Sequence, residues 1–185
     1  PIPRTLALIA YGDLDVSVIA ELPPGRLPVD TFLIGEDKRR RLNAFIEKQC
    51  AEAHQVYIVC PTVEALELES LKSAESWAQT LQQAVFPHRT VGLLHGKMKQ
   101  AQKDAALGAF VRGETDILVA TTVVEVGVDV PNATLMVIEN ADRFGLSQLH
   151  QLRGRVGSGT APSYCILVTS TRSEQTRNRL KAHCA

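Results

Sequence analysis

Two arginines flank a single glycine in Arg153-Gly154-Arg155, and glycines recur at positions 157 and 159. A guanidinium stays charged and forks planar donors onto phosphate oxygens. Glycines beside it let the backbone approach a ligand closely. Taken alone, the run fits a solvated basic turn between a helix and a strand as well as it fits a phosphate contact. A second cluster runs Ala120-Thr121-Thr122-Val123-Val124-Glu125-Val126-Gly127-Val128-Asp129-Val130-Pro131. Its hydroxyls suit a phosphodiester, and its aspartate suits a ribose hydroxyl; taken alone, strand-end packing with a capping Asp explains it better. A third, His95-Gly96-Lys97, reads as a surface turn with a cation or as a backbone-phosphate contact. His95 has no carboxylate or nucleophile beside it in sequence to make it a base. Lys38-Arg39-Arg40-Arg41 opens a helix and reads as a solvated charged face.

Certain motifs are missing from the sequence. No G-x-x-x-x-G-K-[ST] phosphate loop occurs, and Gly96-Lys97-Met98 does not replace one. Ile138-Glu139-Asn140 carries a lone carboxylate, too little for a magnesium-binding strand end. Arginines for a phosphate without a cradle point to a cradle on another domain, over which this one closes.

Such residues must be positioned by elements, and the pattern of the chain defines them. Five short, nearly continuous apolar runs read as strands: Val56–Cys60, Thr90–Leu94, Ile117–Thr121, Leu135–Glu139 and Tyr164–Thr169. Runs of this kind suit strands covered on both faces. Helical patterns lie between and after them, at Lys38–Ala53, Ser73–Val85, Lys99–Arg112, Leu146–Arg153 and Glu174–His183. In the third, Ala101, Ala105, Leu107, Ala109 and Phe110 form the apolar side and Gly113 the stop. The alternation, starting near Thr31, predicts an α/β fold: an open parallel β-sheet flanked by helices, with right-handed crossovers. Ligands on such sheets bind at the carboxyl ends of the strands, where all three clusters are expected to collect. The first residues break the rhythm. Pro1, Pro3, Pro23, Pro24, Gly25 and Pro28 surround a helix-like Thr5–Ala10 and a strand-like Val16–Ile19, and Pro-Pro-Gly reads as a stiff linker.

The 185 residues are 45% apolar and 22% charged, ordinary for one soluble domain. Twenty Lys plus Arg balance twenty Asp plus Glu, which excludes a polybasic arm and any nucleic-acid module that works by bulk charge. Aromatics at 5% are too few for a base-stacking sheet. The balance is global and not local: from Gly145 onward six Lys and Arg face only Glu174. Cys50, Cys60, Cys165 and Cys184 form no C-x-x-C and stand at no zinc spacing, so idle thiols in a reducing cytoplasm are expected and no metal site. No run reaches the ~18 apolar residues of a membrane helix. A chain starting at Pro1 rather than Met is expected to be an excised piece of a longer protein.

Together these residues resemble the second RecA-like lobe of superfamily 2 DNA helicases, most closely the RecG-type translocases that remodel stalled forks and Holliday junctions. The resemblance covers nearly the whole chain. Pro1 to Leu6 resembles the end of helicase motif III, and Glu21-Leu22-Pro23-Pro24-Gly25-Arg26 the connector between motor lobes. Val59-Cys60-Pro61 lies in motif IV, Ala120 to Ala133 is similar to motif V, and Gln148 to Gly159 to motif VI. The resemblance implies an ATP-dependent helicase whose ATP and Mg2+ are held mainly by the preceding lobe. It implies an arginine finger at Arg155, supported by Arg153 and Gln151, with Glu125, Gly127 and Asp129 on the nucleotide side. Thr121, Thr122, Gly96 and His95 would face branched or duplex DNA. The N-terminal RecA-like lobe is the implied partner, with no membrane involved, in a bacterial cytoplasm near the nucleoid. Residues 1–27 would be the remnant of that preceding lobe and connector, 28–170 the lobe itself, and 171–185 a helix leading onward. One departure stands out: Ser158 replaces a second motif VI arginine. The different-class alternative is a catalytically degenerate RecA-like binding module.

Overall fold

The computed structural model describes residues 28–62, 67–121, 129–170 and 173–184. The expectations for residues 1–27, including the linker, lie outside them, as do Thr122, Glu125 and Gly127. The expected open parallel sheet is present, with six strands: β1 (Val29–Ile34), β2 (Gln55–Val59), β3 (Val91–Leu94), β4 (Ile117–Ala120), β5 (Ala133–Ile138) and β6 (Ser163–Val168). Their order is β1-β6-β5-β2-β4-β3, and every pairing is parallel. The helices are α1 (Arg39–Ala51), α2 (Glu67–Thr80), α3 (Gln100–Val111), α4 (Leu146–Arg153) and α5 (Glu174–Cys184).

Burial on both faces follows from the alternation of side chains along a strand. In β2, Val56 and Ile58 join one core while Tyr57 and Val59 join the other. The first core is closed by α1 and α2 through Leu42, Phe45, Ile46, Ala74 and Ala78. The second is closed by α3, α4 and α5 through Phe110, Leu149, Leu152, Leu180 and Cys184. Chain direction explains the split. α1 and α2 carry the chain toward β3, whereas α3 and α4 carry it back toward β1, and right-handed crossovers put opposite directions on opposite faces.

Local sequence rules account for most elements. Leu42, Phe45, Ile46, Gln49 and Cys50 are the buried stripe of α1, spaced three and four residues apart. α3 ends as expected at Gly113, whose φ of +79° is a left-handed conformation that suits glycine. Three differences are instructive. The strand Val29–Ile34 is an edge strand that the apolar-run criterion passes over, because Asp30 and Thr31 interrupt it. α2 begins earlier than expected and continues into a π-helical turn at Leu81–Val85. In α3, the expected Leu107 and Phe110 do make the core contact, joined by Ala106, but Ala101 and Ala105 are exposed. At the base of the sheet, the buried Gln55 side chain donates to the Phe110 and Thr115 carbonyls at 2.5 and 2.8 Å and accepts from Asn132 at 3.2 Å.

Candidate functional site

A parallel sheet ends all its strands at one edge. Gly35, Thr169, Glu139, Cys60, Thr121 and His95 leave β1, β6, β5, β2, β4 and β3 there, in that spatial order. Two of the expected DNA-facing residues are turned inward. Thr121 is buried, and its amide donates to the Leu94 carbonyl at 3.2 Å, closing β4 onto β3. His95 is also buried, with its Nε2 3.3 Å from Glu75 Oε1. The carboxylate absent beside His95 in sequence is thus supplied by α2, twenty residues upstream. Gly96 is the exposed member, and a Cβ placed on it would meet nothing within 4 Å. The turn offers its backbone to solvent.

The arginine cluster is not at this edge, contrary to the expectation that all three groups collect at the carboxyl ends. α4 returns the chain from the end of β5 toward the start of β6, as every crossover in a parallel sheet must. Within α4, Leu149, Leu152 and Arg153 share the buried stripe, so Arg153 goes inside while Gln151 stays exposed. Arg153 Nη1 donates to Thr31 Oγ1 at 3.3 Å, and Nη2 lies 3.4 Å from His150 Nδ1. Burial lowers its pKa from the usual guanidinium value. Its spacing to Leu149 is the signal that places it, visible in the sequence.

Arg155 follows, half-buried, between the exposed Gly154 and the buried Val156. Gly157 then takes φ +91°, which turns the chain. Gly159 packs against the turn before β5, where a Cβ would lie 2.4 Å from the Pro131 carbonyl oxygen. No other residue type fits there without moving backbone. This contact joins the tail of the arginine cluster to the end of the threonine–aspartate cluster. The charges of Arg155 and exposed Asp129 meet at one reporter, the Tyr57 phenol: burial pushes it up to about 12, Arg155 opposes the rise, and Asp129 adds to it. Tyr57 is therefore a neighbour of this site that sequence reading assigned only to a strand. The Ser158 hydroxyl is buried with no hydrogen-bond partner among the described residues.

Sequence reading also missed the strongest polar cluster at the strand-end edge. Arg39 leaves the solvated face assigned to it and makes a bidentate pair with Glu139, Nη1 to Oε2 at 2.7 Å and Nη2 to Oε1 at 2.6 Å. Its other edge grips Glu36, with Nε to Oε2 at 3.1 Å and Nη2 to Oε1 at 2.8 Å. The guanidinium carbon sits 5.2 Å from the Trp77 ring centroid. The two carboxylates outweigh desolvation and hold Arg39 above its usual pKa. These partners are a hundred residues apart in the case of Glu139, so no local pattern announces them. Beyond Glu139, the Thr169 hydroxyl donates to Asp142 at 2.8 Å, and Arg179 of α5 donates to the Asp142 and Phe144 carbonyls. These contacts dock the last helix on this lobe.

All four cysteines are buried, and none is in a disulfide. No helix among the described residues is long and apolar enough to cross a membrane.

Residues 37–159 match the family model described as helicase conserved C-terminal domain. The chain is 55% identical over 180 residues to the ATP-dependent DNA helicase RecG of Synechocystis, covering 97% of this chain and 22% of that relative. It is 52% identical over 177 residues to RecG of Escherichia coli K12, covering 95% of this chain and 25% of that relative. A solved structure of RecG bound to a three-way DNA junction superposes with a TM-score of 0.74 at 46% identity, over the whole of this chain and 24% of that one. The chain thus spans about a quarter of the length of the relatives it matches. A parallel RecA-like sheet with its arginine cluster packed on the Pro131 turn, together with these matches, gives the conclusion: the chain belongs to the helicase conserved C-terminal domain family, and is similar to that quarter of the RecG helicases.

Proposed function

We propose that this chain is the second motor lobe of a RecG-type ATP-dependent DNA translocase that acts on branched DNA, including stalled forks and Holliday junctions, in recombination and repair. Its partner is the preceding RecA-like lobe of the same protein, which holds most of the ATP and its Mg2+. The residues here fit the closing half of such a site. Exposed Asp129 offers a carboxylate to ribose hydroxyls, Arg155 reaches the γ-phosphate, and Gln151 lies on the exposed side of α4. Glu125 and Gly127 belong to the same nucleotide side. Arginine fingers in other phosphoryl-transfer systems contribute roughly 10³–10⁵ in rate. Arg153 is the support that holds the finger's base, through Thr31.

DNA backbone passes the strand-end edge at Gly96, with His95 and Thr121 setting the turn from behind and Thr122 completing the contact. Opening and closing of the two lobes then shifts this edge along the duplex. The work belongs in the cytoplasm, at the nucleoid.

One observation carries the reading: Gly159, four residues after Arg155, packs against the Pro131 backbone, two residues after Asp129, so the arginine and aspartate clusters are joined. The test is a chimera in which this chain replaces the matching 177 residues of the E. coli relative. DNA-stimulated ATPase is expected, with a loss of at least ~100-fold on Arg155→Ala. The 185-residue chain alone is expected to hydrolyse no ATP. An Arg155→Ala chimera as active as its parent overturns the assignment. A second reading, a degenerate binding module, has Ser158 in its favour; it predicts a chimera that binds DNA and never turns over.

A further inference from the structure

At the strand-end edge, Arg39 is fixed on three sides. Glu139, only 10% exposed, holds its inner edge through two short hydrogen bonds. The guanidinium carbon lies over the Trp77 ring. The third partner differs in kind: Glu36 is 53% exposed and grips the outward pair of donors, Nε and Nη2. An arginine locked in this way keeps its planar fork oriented without paying the rotamer entropy that usually accompanies a contact. A carboxylate and a phosphate present the same two-oxygen geometry to that fork. Exposed ion pairs of this kind are weak and readily exchanged, whereas the buried inner pair is not.

We infer that Arg39 is a preset phosphate fork on the DNA-facing edge, occupied in the free protein by the Glu36 carboxylate, which a DNA backbone phosphate displaces. This rests on the proposed function, since it takes the strand-end edge as the DNA path. The position suits the role. Glu139 follows β5 directly and Thr121 follows β4, with only β2 between them, so the two lie about 10 Å apart along the edge. With Glu36 in place, the fork and its two acids carry a net negative charge. Displacing Glu36 by a phosphate keeps every Arg39 donor paired.

The experiment uses the 185-residue chain, 15N-labelled, titrated at low ionic strength with a short duplex DNA and, separately, with inorganic phosphate at the same phosphate concentration. The Arg39 Nε–H and Trp77 indole signals are expected to shift with DNA, together with the Gly96 amide. Shifts with DNA alone assign the fork to the phosphodiester backbone; shifts with both assign it to phosphate groups generally. Glu36→Gln removes the resident competitor from an exposed position and is expected to tighten the apparent DNA Kd several-fold. Arg39→Lys keeps the charge without the fork and is expected to weaken it several-fold. A Gly96 shift without any Arg39 or Trp77 shift, or an unchanged or weaker Kd in Glu36→Gln, overturns the fork while leaving the DNA path standing. Silence at Gly96 as well overturns both.

Discussion

Gly159 and Pro131 meet backbone to backbone, so close that a single added methyl would sit 2.4 Å from the Pro131 carbonyl oxygen. The tail of the arginine cluster is therefore seated on the turn that carries Asp129, and the two clusters have a fixed spacing. Gly159→Ala is expected to destabilise the chain by about 1–3 kcal/mol, the usual range for overpacking against atoms that cannot yield. In the chimera it is also expected to lower ATPase by more than its effect on folding accounts for. Urea unfolding and ATPase at full folding measure the two separately. An alanine variant of unchanged stability would show that the backbone gives way at no cost.

The two arginines of Arg153-Gly154-Arg155 are expected to part company on substitution. Arg153→Ala strips a buried donor from Thr31 and leaves a hole on the α4 stripe, costing on the order of 2 kcal/mol. Arg155→Ala is expected to change stability by less than about 0.5 kcal/mol while removing DNA-stimulated hydrolysis in the chimera. Thermal melts beside ATPase assays decide it; equal effects of the two substitutions on both readouts would contradict the placement.

Ser158 occupies the motif VI position where the RecG-type pattern carries a second arginine, and its short hydroxyl is buried without a partner among the described residues. Ser158→Arg in the two-lobe chimera is expected to raise DNA-stimulated ATPase several-fold, because a second cation then assists Arg155. An unchanged rate would mean that Arg155 is sufficient.

Alkali is expected to unfold this chain early. The thiols of Cys50, Cys60 and Cys165 and the Tyr57 phenol are each pushed up to about 12, chiefly by burial. The native state thus holds these protons longer than the unfolded chain, where thiols titrate near ~8.5 and phenols near ~10. Their contribution is complete below those values and is lost as pH rises toward about 12. The urea midpoint is expected to be level from pH 7 to 8 and to fall steadily above about 9. Cys165→Ala should start lower, having lost packing, but decline less steeply. A midpoint constant into strong alkali would refute the assignment.

Much of this molecule is legible without coordinates. Val56–Cys60, Ile117–Thr121 and Leu146–Arg153 read directly as strand, strand and helix because unbroken apolar runs and three-to-four spacing are local properties. Gly113 announces the end of α3 for the same reason. β1 escapes because its burial comes from pairing with β6, more than a hundred residues later, and its own Asp30 and Thr31 dilute the pattern. The inward turn of Arg153 is legible in its four-residue spacing to Leu149, whereas Arg-Gly-Arg read alone points to a phosphate or to solvent.

The sequence by itself determined the fold class, the covering of the sheet on both faces, and the two long motifs that mark the helicase family. These follow from periodicity and from residue order, which are written along one dimension. Only the tertiary structure decided that the arginine cluster and the His95-Gly96 turn lie at opposite ends of the strands, since a parallel sheet forces each returning helix to carry its residues back to the starting edge. It alone brought Glu75 to His95, Pro131 to Gly159, and Glu139 to Arg39. Charge pairing and close contact depend on distance in space, and folding makes those distances short between residues that the sequence keeps twenty to a hundred positions apart.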